Sequence, residues 1–97
     1  VVVLEDDGKY IIKRVVGMPG DKFQIKDGLV FINGEHYSEN YIYENNTDYD
    51  PGVAEEEIQL GTDEYFILGD NRVVSKDSRE IGPVTKDQII GEVIISL

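Results

Sequence analysis

Lys13 has the surroundings that a lysine needs in order to act as a general base. Its neighbours Ile11, Ile12, Val15 and Val16 are all apolar. A lysine amine accepts a proton only when it is neutral, so its pKa must fall by roughly 2 to 3 units from the ordinary value of about 10.4. Burial among apolar side chains lowers a lysine pKa because it disfavours the charged form. Lys13 is therefore a candidate base, and the alternative is a solvated strand charge.

A second segment, residues 69–79 (GDNRVVSKDSR), carries groups that could support such a base. Ser75, Asp77 and Arg79 alternate along it, so an extended backbone would present a hydroxyl, a carboxylate and a guanidinium on one side. We expect Ser75 to hold the Lys13 amine by a hydrogen bond and Asp77 to pair with Arg79. Taken alone, the segment also fits a salt-bridged turn.

Arg14 should tie the two segments together. Side chains alternate along a strand, so Arg14 points to the face opposite Lys13. Asp70, near the start of the second segment, is the predicted partner of Arg14. The pair would neutralise Arg14 without placing a second cation beside Lys13.

The composition predicts an all-β fold of small antiparallel sheets. The chain has 97 residues, 40% of them hydrophobic, which is enough to bury one modest core. Ten glycines, three prolines and many β-branched residues favour strands joined by tight turns. Asp-Gly or Asn-Gly pairs at 7–8, 27–28 and 33–34 predict hairpins and a meander. The predicted strands are residues 1–4, 10–16, 22–26, 29–32, 36–37, 58–60, 64–68 and 92–97.

Three other stretches have distinct patterns. Residues 38–57 have the polar composition of a long surface loop. Residues 69–83 are charged and bounded by glycine, which indicates a functional loop. A capping box from Thr85 to Gln88, followed by two isoleucines and then Gly91 as a stop, predicts one short helical turn near 85–90.

Composition also excludes several classes of function. Twenty acidic and nine basic residues give a formal net charge of -11, which repels nucleic acid. The absence of cysteine excludes disulfides and a cysteine nucleophile. We predict no metal ion and no cofactor. Asn46, Asp48, Asp50 and Glu57 have some of the spacing of a calcium loop, but a solvated acidic loop at 44–57 is favoured.

The ends of the sequence give two further expectations. No apolar run approaches the roughly 20 residues that span a bilayer, so the chain as given is expected to be soluble. It opens without methionine on the apolar residues 1–4, a pattern typical of a strand already under way. We therefore expect a segment cut from a longer protein.

Two ordered motifs resemble a known family. Residues 13–21 (KRVVGMPGD) and 69–79, followed by Gly-Pro-Val at 82–84, resemble the two C-terminal signature boxes of bacterial type I signal peptidases. The resemblance covers essentially all of residues 1–97, with residues 22–63 as a variable hairpin and loop insertion. It implies a serine endopeptidase that removes signal peptides from exported preproteins. The parent would be anchored in the bacterial cell membrane, with its catalytic domain on the extracytoplasmic side.

The resemblance also implies a role for each matched residue. Lys13 would be the general base of a Ser/Lys dyad, and Ser75 would orient its amine. Tyr10, Ile11 and Ile12 would lie beside the extended signal peptide, with Ile12 near the pockets for the small residues before the cut. The structural support would come from Arg14, Asp70, Asp77 and Arg79.

The nucleophile of the family is missing from this sequence. In the family it lies upstream, in a Ser-x-Ser-Met-x-Pro stretch that follows membrane helices. Ser38, Ser75, Ser78 and Ser96 have no such context. We therefore expect a catalytic-domain fragment that carries the base but is inactive alone. Strand edges left uncovered by the rest of the parent would favour its self-association.

Two alternatives stay open. One is a noncatalytic β module that binds extended peptides by strand addition along residues 10–16. It would use the same surface but would not require a desolvated amine at Lys13. The other is a self-cleaving repressor-type or conjugative-transfer protease with a related Ser/Lys fold. The spacing of the second box matches signal peptidases better than it matches these proteases.

Overall fold

The computed structural model describes residues 1–6, 8–39, 49–72 and 76–92. The helices in these ranges are α1 (Ser78–Ile81) and 3₁₀ turns at Gly52–Glu55 and Lys86–Gln88. All of them fall short of the length and apolar character that a bilayer crossing demands. The strands are β1 Val2–Asp6, β2 Lys9–Gly17, β3 Lys22–Lys26, β4 Leu29–Ile32, β5 Glu35–His36, β6 Ile58–Gln59, β7 Glu64–Leu68, β8 Val84–Thr85 and β9 Ile89–Glu92. The predicted all-β class is confirmed.

The first sheet contains the strand that carries Lys13. The strand order among the described residues is β8-β7-β2-β1-β9, and each pair of adjacent strands is antiparallel. The β1–β2 register runs from Val2 opposite Lys13 to Asp6 opposite Lys9. The pairing of Asp6 with Lys9 agrees with the hairpin that the Asp-Gly pair predicts.

The second sheet is built from residues between 22 and 59, in the order β5-β4-β3-β6 within the described ranges. Asp27 and Gly28 have φ values of 54° and 75°, and Asn33 and Gly34 have 54° and 82°. Positive φ at both central residues is what a type I′ hairpin turn requires. These turns produce the predicted meander because they set the antiparallel registers of β3 with β4 and of β4 with β5.

Apolar side chains cover both faces of the first sheet. On one face, the ring of Phe66 in β7 stacks on that of Phe23 in β3, with centroids 4.3 Å apart, and so joins the two sheets. This core comprises Val16, Phe23, Ile25, Val30, Ala54, Leu60, Phe66 and Leu68. A smaller cluster on the other face comprises Val2, Leu4, Ile67 and Val84. Val2 belongs to this smaller cluster and lies directly opposite Lys13, so Lys13 projects from the same face.

The structure corrects three details of the loops and helices. The capping box at Thr85 forms, with its N–H donating to Gln88 Oε1 at 2.8 Å, but the turn ends at Gln88. Ile89 and Ile90 then begin β9, because β1 offers an unpaired edge that β-branched residues fill well. Residues 69–83 were predicted as a loop yet contain α1. Residues 38–57 were predicted as surface, yet Ala54 is fully buried.

Gly17 lies where the two sheets meet, and its lack of a side chain allows that contact. A Cβ atom there would come within 2.8 Å of the Phe66 Cβ and 2.9 Å of a Leu60 methyl. We expect Gly17→Ala to lower the free energy of unfolding by about 1–3 kcal/mol, because overpacking a tight core forces its neighbours apart. Denaturant unfolding measures this loss. Gly91→Ala in β9, where an added Cβ meets nothing within 4 Å, is the matched control and should change the value far less.

Candidate functional site

Lys13 lies at the centre of β2, beside an open cleft. The cleft has a volume of about 240 Å3 and is lined by Val1, Ile12, Lys13, Arg14 and Asp70. Lys13 is partly buried, on the face of the sheet that carries the smaller apolar cluster. The site therefore combines an amine, apolar neighbours and access from outside, which a base acting on an external group requires.

The structure brings Arg14 and Asp70 together, although they are 56 positions apart in the sequence. Arg14 donates from Nε to Asp70 Oδ1 and from NH2 to Oδ2, both at 2.9 Å. This two-bond geometry orients both groups as well as neutralising them. The hydrogen bond from Arg14 holds the pKa of Asp70 below its usual value, against the opposing effect of partial burial. The pair ties the start of the second segment to the strand of Lys13.

Asp77 and Arg79 also pair, and they do so in the interior. Arg79 Nε donates to Asp77 Oδ1 at 2.8 Å and NH2 donates to Oδ2 at 2.9 Å. The Arg79 backbone N–H donates to the same carboxylate at 3.0 Å, which makes Asp77 the N-cap of α1. Strand-like alternation was the wrong basis for this contact, because the chain turns into a helix at Ser78.

A role for Ser78 was not apparent from the sequence. Among the residues that the structure describes, β8 pairs with β7 only at Glu64 and Tyr65, and no strand pairs with the rest of that edge. The Ile67 N–H donates to Ser78 Oγ at 2.9 Å, and the Gly69 N–H donates to Asp77 Oδ2 at 2.9 Å. Side chains of the second segment thus satisfy the buried strand donors that β8 does not reach. The even spacing of the two donors matches one edge of a strand.

Arg72 is a second feature that sequence reasoning missed. Its side chain is fully buried, and it forms a two-bond pair with Glu39, including NH1 to Oε1 at 3.0 Å. Burial lowers the pKa of Arg72, but the hydrogen bonds and charge of Glu39 outweigh that effect and raise it overall. Burial raises the pKa of Tyr49, whose ring lies 5.0 Å from the Arg79 guanidinium carbon. The pattern of the second box gave no signal for a partner at position 39.

The remaining predicted residues are exposed, partly buried or outside the described ranges. Tyr10 and Ile12 project from one face of β2 and are 72% and 61% exposed, whereas Ile11 packs against the smaller cluster on the other face. Ser75, Asn46 and Asp48 lie outside the described residues. In the part of the chain that is described, no cluster of three histidine, aspartate or glutamate side chains is arranged to hold a metal ion.

Comparison with known proteins decides the family. The family model for signal peptidase, peptidase S26, matches residues 1–97. The chain belongs to the signal peptidase family S26. It is 36% identical over 103 residues to a signal peptidase I of Bacillus amyloliquefaciens, covering 94% of this chain and 52% of that protein. It is 37% identical over 95 residues to a signal peptidase IB of Staphylococcus aureus, covering 84% of this chain and 50% of that protein.

A crystal structure of another family member has the same fold. The signal peptidase I of Enterococcus faecalis superposes with a TM-score of 0.77 and 27% sequence identity, covering 96% of this chain and 92% of that one. The resemblance to signal peptidases drawn from the two boxes is therefore confirmed at the level of the family. The chain spans about half the length of the curated signal peptidases it matches.

The Arg14–Asp70 pair gives this signal peptidase family member a defined acid dependence. The folded-state pKa of Asp70 lies below its ordinary value of 3.8, so the pair stabilises the fold fully above that pH. The contribution is lost as the pH falls through the lower folded-state value. The two side chains are 30% and 39% exposed, and solvent screening limits the contribution to about 1 kcal/mol or less.

We expect Asp70→Asn to reduce the free energy of unfolding near neutral pH, and the difference from wild type to shrink below pH 3.8. Denaturant unfolding at a series of pH values measures both effects. Asp63→Asn, at an exposed turn position, should show no such pattern. A difference that stays constant down to low pH would contradict the assignment to this carboxylate.

Proposed function

We propose that this chain carries the base and supporting box of a serine endopeptidase that removes signal peptides from exported preproteins. The observation that supports it best is the double attachment of the second box. Asp70 bonds to Arg14, next to Lys13, and Ser78 Oγ accepts from the Ile67 N–H of β7, which pairs with β2. The box is thereby held against the strand of Lys13, as a base oriented by a residue from a distant segment requires.

In the proposed reaction Lys13 is the general base and Ser75 orients its amine. Neutral Nζ takes the proton of a nucleophilic serine as that serine attacks the scissile carbonyl, and the resulting ammonium returns the proton to the leaving amine. Water then hydrolyses the acyl-enzyme with the same lysine as base. The serine comes from a segment outside these 97 residues, together with most of the donors that stabilise the oxyanion.

The open edge of β2 supports an extended substrate. Strand β1 pairs with residues 9–13 along one edge, while β7 pairs with the other edge only at Arg14, Val15 and Gly17. The edge of residues 10–12 that faces away from β1 therefore has no partner strand among the described residues. A signal peptide added there would run past Lys13, with Tyr10 and Ile12 exposed beside it.

The same edge also supports the second candidate function, a noncatalytic module that binds extended peptides. Strand addition along all of residues 10–16 is not available, because β7 already pairs with Arg14 and Val15. The two functions differ at Lys13. Peptide binding by the 97-residue chain would survive replacement of Lys13 by methionine, whereas proteolysis would not.

The setting of the parent protein follows from the same proposal. Its substrates would be signal peptides of secreted preproteins, and it would be anchored in the bacterial membrane with this domain on the extracytoplasmic side. Residues 22–63, which include the second sheet, would form the variable insertion of a C-terminal catalytic domain. The chain alone would be inactive and, through its open strand edge, prone to self-association.

A graft tests the proposal. Residues 1–97 would replace the corresponding half of the Bacillus amyloliquefaciens signal peptidase I, which is 36% identical over the matched region. We expect the graft to cleave a purified preprotein after a small residue, and the 97-residue chain alone to leave it intact. Specific cleavage by the chain alone would refute the inference that the nucleophile is missing from it. A folded graft without activity would refute the assigned function.

A further inference from the structure

Glu39 lies 33 positions before Arg72, outside both signature boxes, yet it compensates the most deeply buried cation described. The Arg72 guanidinium is completely covered and the Glu39 side chain is 4% exposed. A charge in such a place has to be paired, because removing it from water costs several kcal/mol. A surface salt bridge would not be buried in this way. The burial of the Arg72–Glu39 pair therefore has to be explained by the groups that the pair holds in place.

Gly69 is what the pair holds. Arg72 Nε donates to the Gly69 carbonyl at 2.7 Å, while the Gly69 N–H donates to Asp77 at 2.9 Å. Buried charged side chains thus fix both polar groups of one glycine, a residue with unusual conformational freedom. Asp70 follows directly and bonds to Arg14. Fixing Gly69 therefore fixes the direction of the backbone after β7, and with it the position of the Asp70 carboxylate.

Further contacts place Glu39 and Tyr49 in one cluster around Arg72. Tyr49 is 23 positions from Arg72, and its hydroxyl accepts from Arg72 NH1 at 3.4 Å and donates to the Gly28 carbonyl at 3.1 Å. Arg79 NH1 donates to the Arg72 carbonyl at 2.7 Å. The guanidinium of Arg72 is thus bonded to Glu39, to the Gly69 carbonyl and to the Tyr49 hydroxyl.

We infer that Glu39 is a positioning residue of the site, acting through Arg72 and Gly69 on the Asp70–Arg14 pair beside Lys13. The inference rests on the proposed function only in its statement that this positioning serves catalysis. The series of contacts that links Glu39 to Arg14 through Arg72 and residues 69–70 is present whatever the function of the protein. Glu39 lies in the region between the two boxes, so this region would contribute directly to the geometry of the site.

The pKa of Asp70 in the 97-residue chain, read from its side-chain carboxyl 13C shift, separates positioning from simple electrostatics. Asp70 faces the charges of Arg14, Arg72 and the amino terminus. Glu39→Gln keeps the shape but removes a negative charge, so electrostatics alone would lower the Asp70 pKa further. Loss of positioning would instead loosen the bonds to Arg14 and raise the pKa by about half a unit or more.

A second variant keeps the test decisive if Glu39→Gln does not fold. Glu39→Asp retains the charge but withdraws the carboxylate by one methylene, so positioning predicts a rise in the Asp70 pKa and electrostatics alone predicts no change. Glu35→Gln, at an exposed position in β5, is the control and should leave the value unchanged. A fall with Glu39→Gln, or no change with Glu39→Asp, would overturn the inference.

The same variants in the graft distinguish this inference from the proposed function. If both hold, Glu39→Asp lowers kcat for preprotein cleavage with little change in KM, because substrate contacts are untouched. If the graft is inactive with wild-type residues while the Asp70 pKa still rises, the positioning stands and the protease assignment fails.

Discussion

Asp77→Asn is expected to lower the free energy of unfolding by about 3–5 kcal/mol, since it breaks a buried ion pair and leaves one partner charged. The Asp77 carboxylate is inaccessible and accepts from the Arg79 side chain, the Arg79 backbone and the Gly69 backbone. An amide has one acceptor oxygen and turns a donor toward the other N–H groups. The buried Arg79 guanidinium would also lose the charge that compensates it.

Chemical denaturation of the 97-residue chain measures the effect of Asp77→Asn. Asp63→Asn removes the same charge from an exposed turn and is expected to change stability by less than about 0.5 kcal/mol. A loss below about 1 kcal/mol for Asp77→Asn, within the range of surface pairs, would show that the carboxylate does not hold α1 and β7 together as described.

Lys13→Met in the graft is expected to lower kcat for preprotein cleavage by at least the roughly 10²–10⁴-fold that a general base contributes. Methionine approximates the length and apolar stem of lysine, so the β2 strand and its cleft should be preserved. KM should change little, because the substrate is proposed to bind through the strand edge and its small-residue pockets. Any residual cleavage by the variant should proceed without general-base catalysis from position 13.

Lys26→Met supplies the matched control for that experiment. Lys26 is exposed at the end of β3, in the second sheet, and its loss removes the same charge away from the cleft. The control should retain the activity of the unmodified graft. Equal activity in Lys13→Met and Lys26→Met would contradict the role of Lys13 as the base.

Local turn chemistry explains why much of the fold could be predicted. Asp27-Gly28 and Asn33-Gly34 adopt the left-handed conformations that such pairs favour, and each sets the register of its hairpin. Two residues thereby determine the pairing of many others. The capping box at Thr85 is equally local, and it forms as the sequence predicts.

Long-range competition explains what could not be predicted. Ile89 and Ile90 continue a capped turn in the sequence, but the pairing of β9 with β1, which sets Ile89 opposite Leu4, takes precedence over helix. Ser78 starts α1 because Asp77 caps it from within a buried network. The pairing of Arg72 with Glu39 joins positions 33 apart, and no local pattern in the sequence indicates it.

The proposed mechanism requires the Lys13 amine to lie beside the Ser75 hydroxyl. The most direct test is the distance between Lys13 Nζ and Ser75 Oγ in a high-resolution crystal structure of the graft with a signal-peptide inhibitor bound. We expect a hydrogen bond, about 2.7–3.2 Å long, with Nζ also facing the nucleophilic serine. An ordered Ser75 on the other face of the sheet, out of reach of Lys13, would contradict it.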